Sequence, residues 1–259
     1  MLQGSGMYKF VCLGTGNAFC LEGNYQSNFL IISPDGDKLL IDCGSDARRP
    51  LCELGYSVED IDTVYVSHLH SDHIGGLEWL AFSTYFNPTI PRPKLFAHES
   101  LIAPLWEQSL QGGLRSIFEK SVVLADYFDV NPLTDDCSWL WCGLEIKLVF
   151  SFHVQDDGVE CPCYGLIITS PDTTIYFTAD IRFCPDYCDP MYKTADLIIH
   201  DCETTSIKSG VHANYIDLIT LPKEYKEKML LYHYHDRQVI DIEKDGFKGI
   251  LNPSSIVSF

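Results

Sequence analysis

Four β-prone stretches of this sequence are each followed by a histidine or an aspartate. The stretches end at residues 66, 152, 177 and 232, and the residues that follow them are His68, His153, Asp180 and His233. The carboxyl ends of neighbouring strands can meet at one edge of a sheet, where binding crevices form. We therefore expect these four side chains to become neighbours, although they are spread over 166 sequence positions.

The first of these stretches leads into a dense group of metal-type side chains, His68-Leu69-His70-Ser71-Asp72-His73. Imidazoles and carboxylates suit divalent zinc, manganese or iron, and a two-metal site needs roughly six or seven such ligands. The spacing of two between His68 and His70 predicts that both rings lie on one side of an extended turn. Asp72 and His73 can then face a second ion.

The distribution of apolar residues predicts a mixed α/β fold. We expect strands over 8–13, 29–32, 38–41, 61–66, 144–152, 166–169, 174–177, 197–199 and 228–232, with helices over 48–54 and 74–82. Residues 83–114 predict an irregular surface excursion with a short helix over 101–108. Residues 7–259 are expected to form one domain, and residues 1–6 are interpreted as a leader or a vector-derived remnant before a second start at Met7.

Charge and cysteine content narrow the functional class. The formal net charge of −18 disfavours long nucleic acid as a partner, although two bound cations would reverse the local potential for a small anion. No apolar run is long enough to predict a membrane span. The 11 cysteines have no framework spacing, which predicts reduced thiols and a cytoplasmic location, and Cys161 and Cys163 are interpreted as small buried residues.

The sequence resembles the metallo-β-lactamase superfamily. The resemblance rests on the HxHxDH run at 68–73, the Leu13-Gly14-Thr15-Gly16 turn, the Leu40-Ile41-Asp42-Cys43-Gly44 segment, and the later histidines and aspartate. It implies an αββα sandwich that holds two divalent ions, with Zn²⁺ expected and Mn²⁺ or Fe²⁺ as alternatives. It also implies which side chains hold each ion: His68, His70 and His153 the first, Asp72, His73 and the last histidine the second, with Asp180 bridging both.

Two positions in this ligand set stay open at the sequence level. His233 and His235 lie two apart and would point to the same side of a strand, and we favour His233 because it directly follows Leu230-Leu231-Tyr232. Asp42 is interpreted either as an acceptor that orients a ligating histidine or as a side chain that satisfies turn amides.

Residues 197–213 resemble the branch of this superfamily that processes tRNA 3′ ends, together with its small phosphodiesterase relatives. That resemblance implies a proton relay in which Asp201 orients His212, and it makes Asp72, Asp201 and His212 the expected catalytic residues. Aspartate stands at 201 where this branch commonly has glutamate, so Glu203 is an alternative acid. His212 as a plain helix-start residue is the structural alternative.

The chain from His212 to Tyr234 resembles the phage anti-Pycsar phosphodiesterases. This resemblance implies hydrolysis of small 3′,5′-cyclic nucleotides to 5′-mononucleotides in evasion of antiphage immunity, and a homodimer with loops such as 83–114 reaching the partner. The short stretch between His153 and Asp180 lacks the arm with which tRNA-processing enzymes grip tRNA, which argues against a tRNA endonuclease. Two rival functions are a thioester or lactam hydrolase of the same fold and a metal-bound sensor without turnover.

Overall fold

The computed structural model describes residues 6–20, 23–235 and 240–259, so residues 1–5 of the predicted leader lie outside the described chain. Within this range the chain divides into two compact units. Unit 1 comprises the described parts of Met1–Gly14, Tyr25–Thr134 and Pro253–Phe259, and unit 2 comprises those of Thr15–Asn24 and Asp135–Asn252. The expectation of one domain over residues 7–259 stays a prediction.

The strands of the described chain fall into two groups by unit. In unit 1 they are β1 (Lys9–Gly14), β2 (Asn28–Ile32), β3 (Lys38–Ile41), β4 (Thr63–Val66), β5 (Lys94–His98), β6 (Ser116–Ile117), β7 (Lys120–Ser121) and β8 (Asp129–Leu133). In unit 2 they are β9 (Ser138–Trp141), β10 (Leu144–Phe150), β11 (Gln155–Asp156), β12 (Val159–Glu160), β13 (Tyr164–Thr169), β14 (Thr174–Phe177), β15 (Leu197–Asp201), β16 (Met229–Tyr232) and β17 (Gly249–Ile250). The chain ends in β18 (Ile256–Ser258), which belongs to unit 1.

The helices are short. Unit 1 has α1 (Arg48–Glu53), α2 (Ser71–Ile74), α3 (Leu77–Tyr85), α4 (Glu99–Pro104), α5 (Gln111–Leu114) and α6 (Leu124–Tyr127), with a 3₁₀ turn at Val58–Asp60 and a π-helical turn at Leu105–Leu110. Unit 2 has α7 (Pro185–Thr194), α8 (Tyr215–Leu218), α9 (Lys223–Lys226) and α10 (Ile242–Asp245).

The sheet of unit 1 has the strand order β18-β1-β2-β3-β4-β5-β8 over the described residues. Strands β1, β2 and β3 form an antiparallel meander whose second hairpin is closed by hydrogen bonds around Ser33, whereas β3, β4, β5 and β8 run parallel. Because β3 and β4 are parallel neighbours, Asp42 and Ser67 emerge side by side at their carboxyl ends.

The sheet of unit 2 has the strand order β17-β16-β15-β14-β13-β10-β9 over the described residues. Strands β9, β10, β13 and β14 are antiparallel in turn, and β14, β15, β16 and β17 are parallel. Strand β10 therefore runs in the same direction as β14, β15 and β16. Their carboxyl ends share one edge and deliver, in chain order, His153, Asp180, Asp201 and His233.

Most predicted elements are confirmed to within two or three residues, and the 166–169 and 174–177 pair forms the expected hairpin, with Leu166 opposite Phe177. The segment 83–114 is predicted only in part. The short helix expected over 101–108 is present in α4 and the π-helical turn, but the rest of the segment is more regular than expected. It also contains strand β5 and further helical residues up to 114, because Leu101, Leu105, Leu110 and Leu114 are buried at near-helical spacing.

Two further expectations can be compared with the described chain. None of its helices is long and apolar enough to cross a membrane. All 11 cysteines fall within it, as thiols and not as disulfides. Cys163 is buried and Cys161 is half-buried.

Candidate functional site

The motif loop of unit 1 brings two imidazole nitrogens together. His68 Nε2 lies 3.0 Å from His70 Nδ1, and the turn that starts α2 places Asp72 Oδ2 3.4 Å from His73 Nε2. Two ligand atoms on one tetrahedral zinc ion lie about 3.3 Å apart, since each bond is about 2.0–2.1 Å long. The two pairs of ligand atoms in unit 1 have the spacing that a shared cation requires.

Asp42 orients the histidines of the motif loop in unit 1. Its carboxylate accepts hydrogen bonds from Ser67 N at 2.8 Å, Ser67 Oγ at 2.7 Å and His73 Nδ1 at 2.7 Å. Ser67 Oγ in turn lies 3.0 Å from His68 Nδ1. Asp42 thus satisfies a turn amide and also holds the His73 ring directly and the His68 ring through Ser67, with their Nε2 atoms directed away from it.

Asp180 occupies a central position in unit 2. Its Oδ2 atom lies 3.7 Å from His153 Nε2 and 3.5 Å from His233 Nε2, and all three side chains are at most 2% exposed. A carboxylate oxygen at similar distances from two imidazoles can serve two cations. This arrangement is consistent with the bridging role that the resemblance implies.

The outer nitrogen atoms of both histidines face acceptors in unit 2. His153 Nδ1 donates to the Val211 carbonyl at 2.8 Å, and burial lowers the pKa of His153 against the opposing effect of Asp180. His233 Nδ1 lies 3.4 Å from Asp201 Oδ1. Both rings thus direct Nε2 toward Asp180 Oδ2, and burial favours the neutral form of His153, the form in which histidine binds a metal.

His233 and His235 differ in environment. His233 is 2% exposed and has a left-handed backbone, φ 65°, which sends its N–H to the Thr15 carbonyl at 2.8 Å. His235 is exposed, and its N–H contacts Thr204 Oγ1. The structure therefore places His233, and not His235, beside Asp180.

His212 and Asp201 form a close pair next to these side chains. His212 Nδ1 lies 2.8 Å from Asp201 Oδ2, which also accepts from Ile181 N at 2.9 Å. Burial lowers the pKa of His212, but the Asp201 carboxylate outweighs it and raises the pKa overall. Burial likewise raises the pKa of the Asp201 carboxyl, and His212 reverses this to a net lowering. The pair thus favours an imidazolium facing a carboxylate.

Glu203 has a different task. Its carboxylate accepts from Ser209 N at 3.0 Å and from Asn214 Nδ2 at 3.2 Å, and its backbone N–H donates to the Ala213 carbonyl. These bonds close the loop that carries His212. Glu203 therefore fixes the loop, and Asp201 is the acid that contacts His212.

Each unit thus supplies side chains that could hold a metal ion. In unit 1 they are His68, His70, Asp72 and His73, and in unit 2 they are His153, Asp180 and His233. Ligand atoms of Asp180, Asp201, His212 and His233 also lie within 4.8 Å of one another, so the predicted relay adjoins the predicted ligands. The sequence analysis did not find the Val211 and Thr15 carbonyls, because backbone acceptors carry no residue-type signal.

The segment between His153 and Asp180 is compact. It consists of the β11–β12 hairpin followed by β13 and β14, and the described residues of this segment form no further element. An extended arm for gripping a large RNA has no counterpart between these two residues.

Comparison with known proteins agrees with this architecture. The family model for the anti-Pycsar protein Apyc1 matches residues 8–257. An anti-Pycsar protein Apyc1 from Paenibacillus xerothermodurans is 33% identical over 252 residues, covering 95% of this chain and 96% of the relative. One from Bacillus phage vB_BveM-Goe7 is 31% identical, covering 92% and 93%.

A solved structure shows the same fold. The metallo-β-lactamase fold protein YhfI from Bacillus subtilis aligns with a TM-score of 0.75 at 22% identity, over 98% of this chain and 100% of that one. This likeness confirms the predicted α/β metallo-β-lactamase fold. With a family match over nearly its whole length, the chain belongs to the anti-Pycsar Apyc1 family.

Proposed function

We propose that this protein is a binuclear metal-dependent phosphodiesterase that hydrolyses 3′,5′-cyclic mononucleotides to 5′-mononucleotides and so counters cyclic-nucleotide antiphage immunity. The observation that carries the proposal is the His212–Asp201 pair, 2.8 Å apart, on the sheet edge that also presents His153, Asp180 and His233. Metal-type ligands alone suit many hydrolases. An acid-oriented imidazole beside them suits departure of an alkoxide. The names of the relatives support the biological role.

The proposed ligand sets follow the resemblance. When ions are bound, His68, His70 and His153 would hold one and Asp72, His73 and His233 would hold the other, with Asp180 available to both. Zn²⁺ is the proposed metal, with Mn²⁺ or Fe²⁺ as alternatives. When bound, the ions supply Lewis acidity and an activated water at neutral pH. The protein contributes pre-oriented rings, because Asp42 and the Val211 carbonyl fix their outer nitrogens.

His212 is proposed to act as the general acid. Its Nδ1 is engaged by Asp201, which leaves Nε2 as the proton-donating atom. As the oxygen of a water molecule bonds to phosphorus and the bond to the 3′ oxygen breaks, the Nε2 proton passes to that oxygen and completes the 5′-mononucleotide. The attacking water releases one proton, which restores the protonated form of His212. The Asp201 carboxylate raises the pKa of His212, which favours retention of this proton. General acid catalysis of this kind is worth about 10²- to 10⁴-fold.

The proposed substrate type, cellular location and oligomeric state have separate grounds. A small anionic substrate fits a chain whose net charge of −18 opposes long nucleic acid, provided that bound cations reverse the charge locally. Anti-Pycsar relatives encoded by phages support action in the host cytoplasm. A homodimer is proposed on the family resemblance, and its stoichiometry is measurable by light scattering.

The direct test incubates the purified protein with a panel of cyclic mononucleotides and dinucleotides, with and without a chelator, and resolves products by chromatography. We expect 5′-mononucleotides from cyclic mononucleotides only, and none after chelation. Intact substrate under all metal conditions, or preferential cleavage of a thioester, would refute the proposed function.

Two variants separate the relay from the metal ligands. His212→Ala should keep its metal content by elemental analysis while turnover falls by about 10²- to 10⁴-fold. Asp180→Ala should lose metal as well as turnover. If His212→Ala lost metal to the same extent as Asp180→Ala, His212 would be a ligand and the relay would be wrong.

A further inference from the structure

The backbone of Asp201 stands at a place where the unit 2 sheet opens. Strand β14 pairs with β15 only as far as Phe177, and Ala179, at φ 50°, then turns the chain away in the left-handed region. The peptide groups of Asp201 on that side of β15 therefore lose their ladder partners. Because Asp201 is fully buried, those groups need other partners in the protein.

Two side chains supply the missing partners. Thr178 Oγ1 accepts from Asp201 N at 3.0 Å, and His200 Nδ1 donates to the Asp201 carbonyl at 2.6 Å. Side chains thus bind both the N–H and the carbonyl of Asp201. Its carboxylate is then directed at His212 and Ile181 N.

A tyrosine fixes the ring of His200. Tyr192, on α7, donates its hydroxyl to His200 Nε2 at 2.6 Å, which leaves Nδ1 as the protonated nitrogen. Both side chains are 1% exposed. Burial lowers the pKa of His200, which is consistent with a neutral ring that accepts at one nitrogen and donates at the other. A leucine at position 200 would fill similar space in the core, but it would leave the Asp201 carbonyl and the Tyr192 hydroxyl without the bonds that His200 makes to them.

We propose that Tyr192 and His200 are positioning residues that hold the Asp201 main chain so that its carboxylate faces His212. This inference rests on the proposed function for its catalytic consequence, but the geometry it asserts exists without substrate. Misplacing a catalytic group by about 1 Å can cost up to about 100-fold in rate. The expected signature is a fall in kcat with KM almost unchanged, because neither residue contacts the substrate.

The test compares variants that break one bond at a time. Tyr192→Phe removes only the hydroxyl that fixes the ring, and His200→Leu removes both bonds. His200→Asn keeps an N–H near the position of Nδ1 and should restore the bond to the Asp201 carbonyl. The matched control is Tyr225→Phe, which keeps the ring that packs against Tyr192 and removes only a part-buried hydroxyl that donates to Asp189 at 2.6 Å.

Two readouts are needed. The first is kcat and KM on a cyclic mononucleotide with metal content measured in parallel. The second is the imidazole proton resonance of His212 Nδ1, which reports its hydrogen bond to Asp201 whether or not the protein turns over this substrate. If the wild-type protein had no activity, the proposed function would be wrong, but the His212 resonance would still test the positioning role.

We expect Tyr192→Phe and His200→Leu to lower kcat by about 10- to 100-fold at unchanged metal content and to shift the His212 resonance. His200→Asn should recover most of both, and Tyr225→Phe should match the wild type. If the variants only lowered thermal stability, with kcat and the His212 resonance as in the wild type, the pair would be ordinary core and the inference would be overturned. Loss of metal in parallel with kcat would overturn it too, because the effect would then run through the ligands.

Discussion

Asp42→Asn tests whether the Asp42 carboxylate orients the histidine rings of the motif loop for metal binding. The substitution removes one charge and almost no volume, and asparagine tolerates the left-handed backbone at this position, φ 61°. An amide nitrogen, however, donates where a carboxylate accepts. At 42 the carboxylate accepts from Ser67 N, Ser67 Oγ and His73 Nδ1, all within 2.8 Å.

Either orientation of the asparagine amide leaves a conflict. With Oδ1 toward Ser67 N, the amide nitrogen faces His73 Nδ1 and forces the proton of that ring onto Nε2, the atom that should bind metal. With the amide reversed, two donors meet at Ser67 N. One buried donor without an acceptor lowers the free energy of unfolding by about 1–3 kcal/mol, which corresponds to roughly 2–12 °C in Tm for a protein of this size. Loss of such an outer-sphere partner typically costs about 10- to 100-fold in metal affinity.

The assay is metal affinity by calorimetry on protein stripped with a chelator, beside thermal unfolding of the same metal-free sample. We expect weaker binding and a lower Tm in Asp42→Asn, with the far-ultraviolet circular dichroism unchanged. Asp35→Asn is the matched control, because it removes the same charge from the exposed β2–β3 turn. Wild-type metal affinity in Asp42→Asn would refute the reasoning that Asp42 sets the ring tautomer.

Other predictions test the remaining parts of the site. Gly44→Ala should lower the free energy of unfolding by more than about 1–3 kcal/mol and weaken metal binding, because a Cβ there would lie 2.0 Å from the Asp72 carbonyl oxygen. The control is Gly112→Ala, which should leave metal binding unchanged because a Cβ there meets nothing within 4 Å. His233→Ala should lose metal by elemental analysis, whereas His235→Ala should keep it, and the reverse result would exchange the two ligand assignments.

The position of His153, Asp180 and His233 at one sheet edge was predictable because the signal is local. Each follows a short apolar run with β-prone residues, and the strands β10, β14 and β16 that precede them run in the same direction. The hairpin at 33–37 and the 166–177 pairing were equally predictable, since turn residues interrupt alternating apolar strands.

The error at 83–114 has a physical cause. Pro, Gly and aromatic residues predicted that the segment is irregular outside a short helix over 101–108, but buried Leu105 and Leu110 extend the helical chain through a π-helical turn. Tertiary burial here outweighed local propensity. The acceptors at Val211 and Thr15 were unpredictable for another reason, because any residue type offers the same carbonyl.

The backbone conformations at the strand ends could not be predicted from the sequence either, although they explain how the sheets present the side chains that follow each strand. Asp42, Ala179 and His233 all have positive φ, at 61°, 50° and 65°. Each stands one or two residues after a strand, where the chain must leave the ladder abruptly. For a non-glycine residue such a conformation costs about 1–2 kcal/mol.

The left-handed turns redirect backbone groups as well as side chains. The N–H of Asp42 goes to the Tyr65 carbonyl, and that of His233 goes to the Thr15 carbonyl. Glycine at 42 or 233 would relax the backbone but would delete the acceptor or the imidazole itself. The strained backbone at these two positions therefore accompanies side chains that glycine could not supply. The surrounding hydrogen bonds hold the backbone in this conformation.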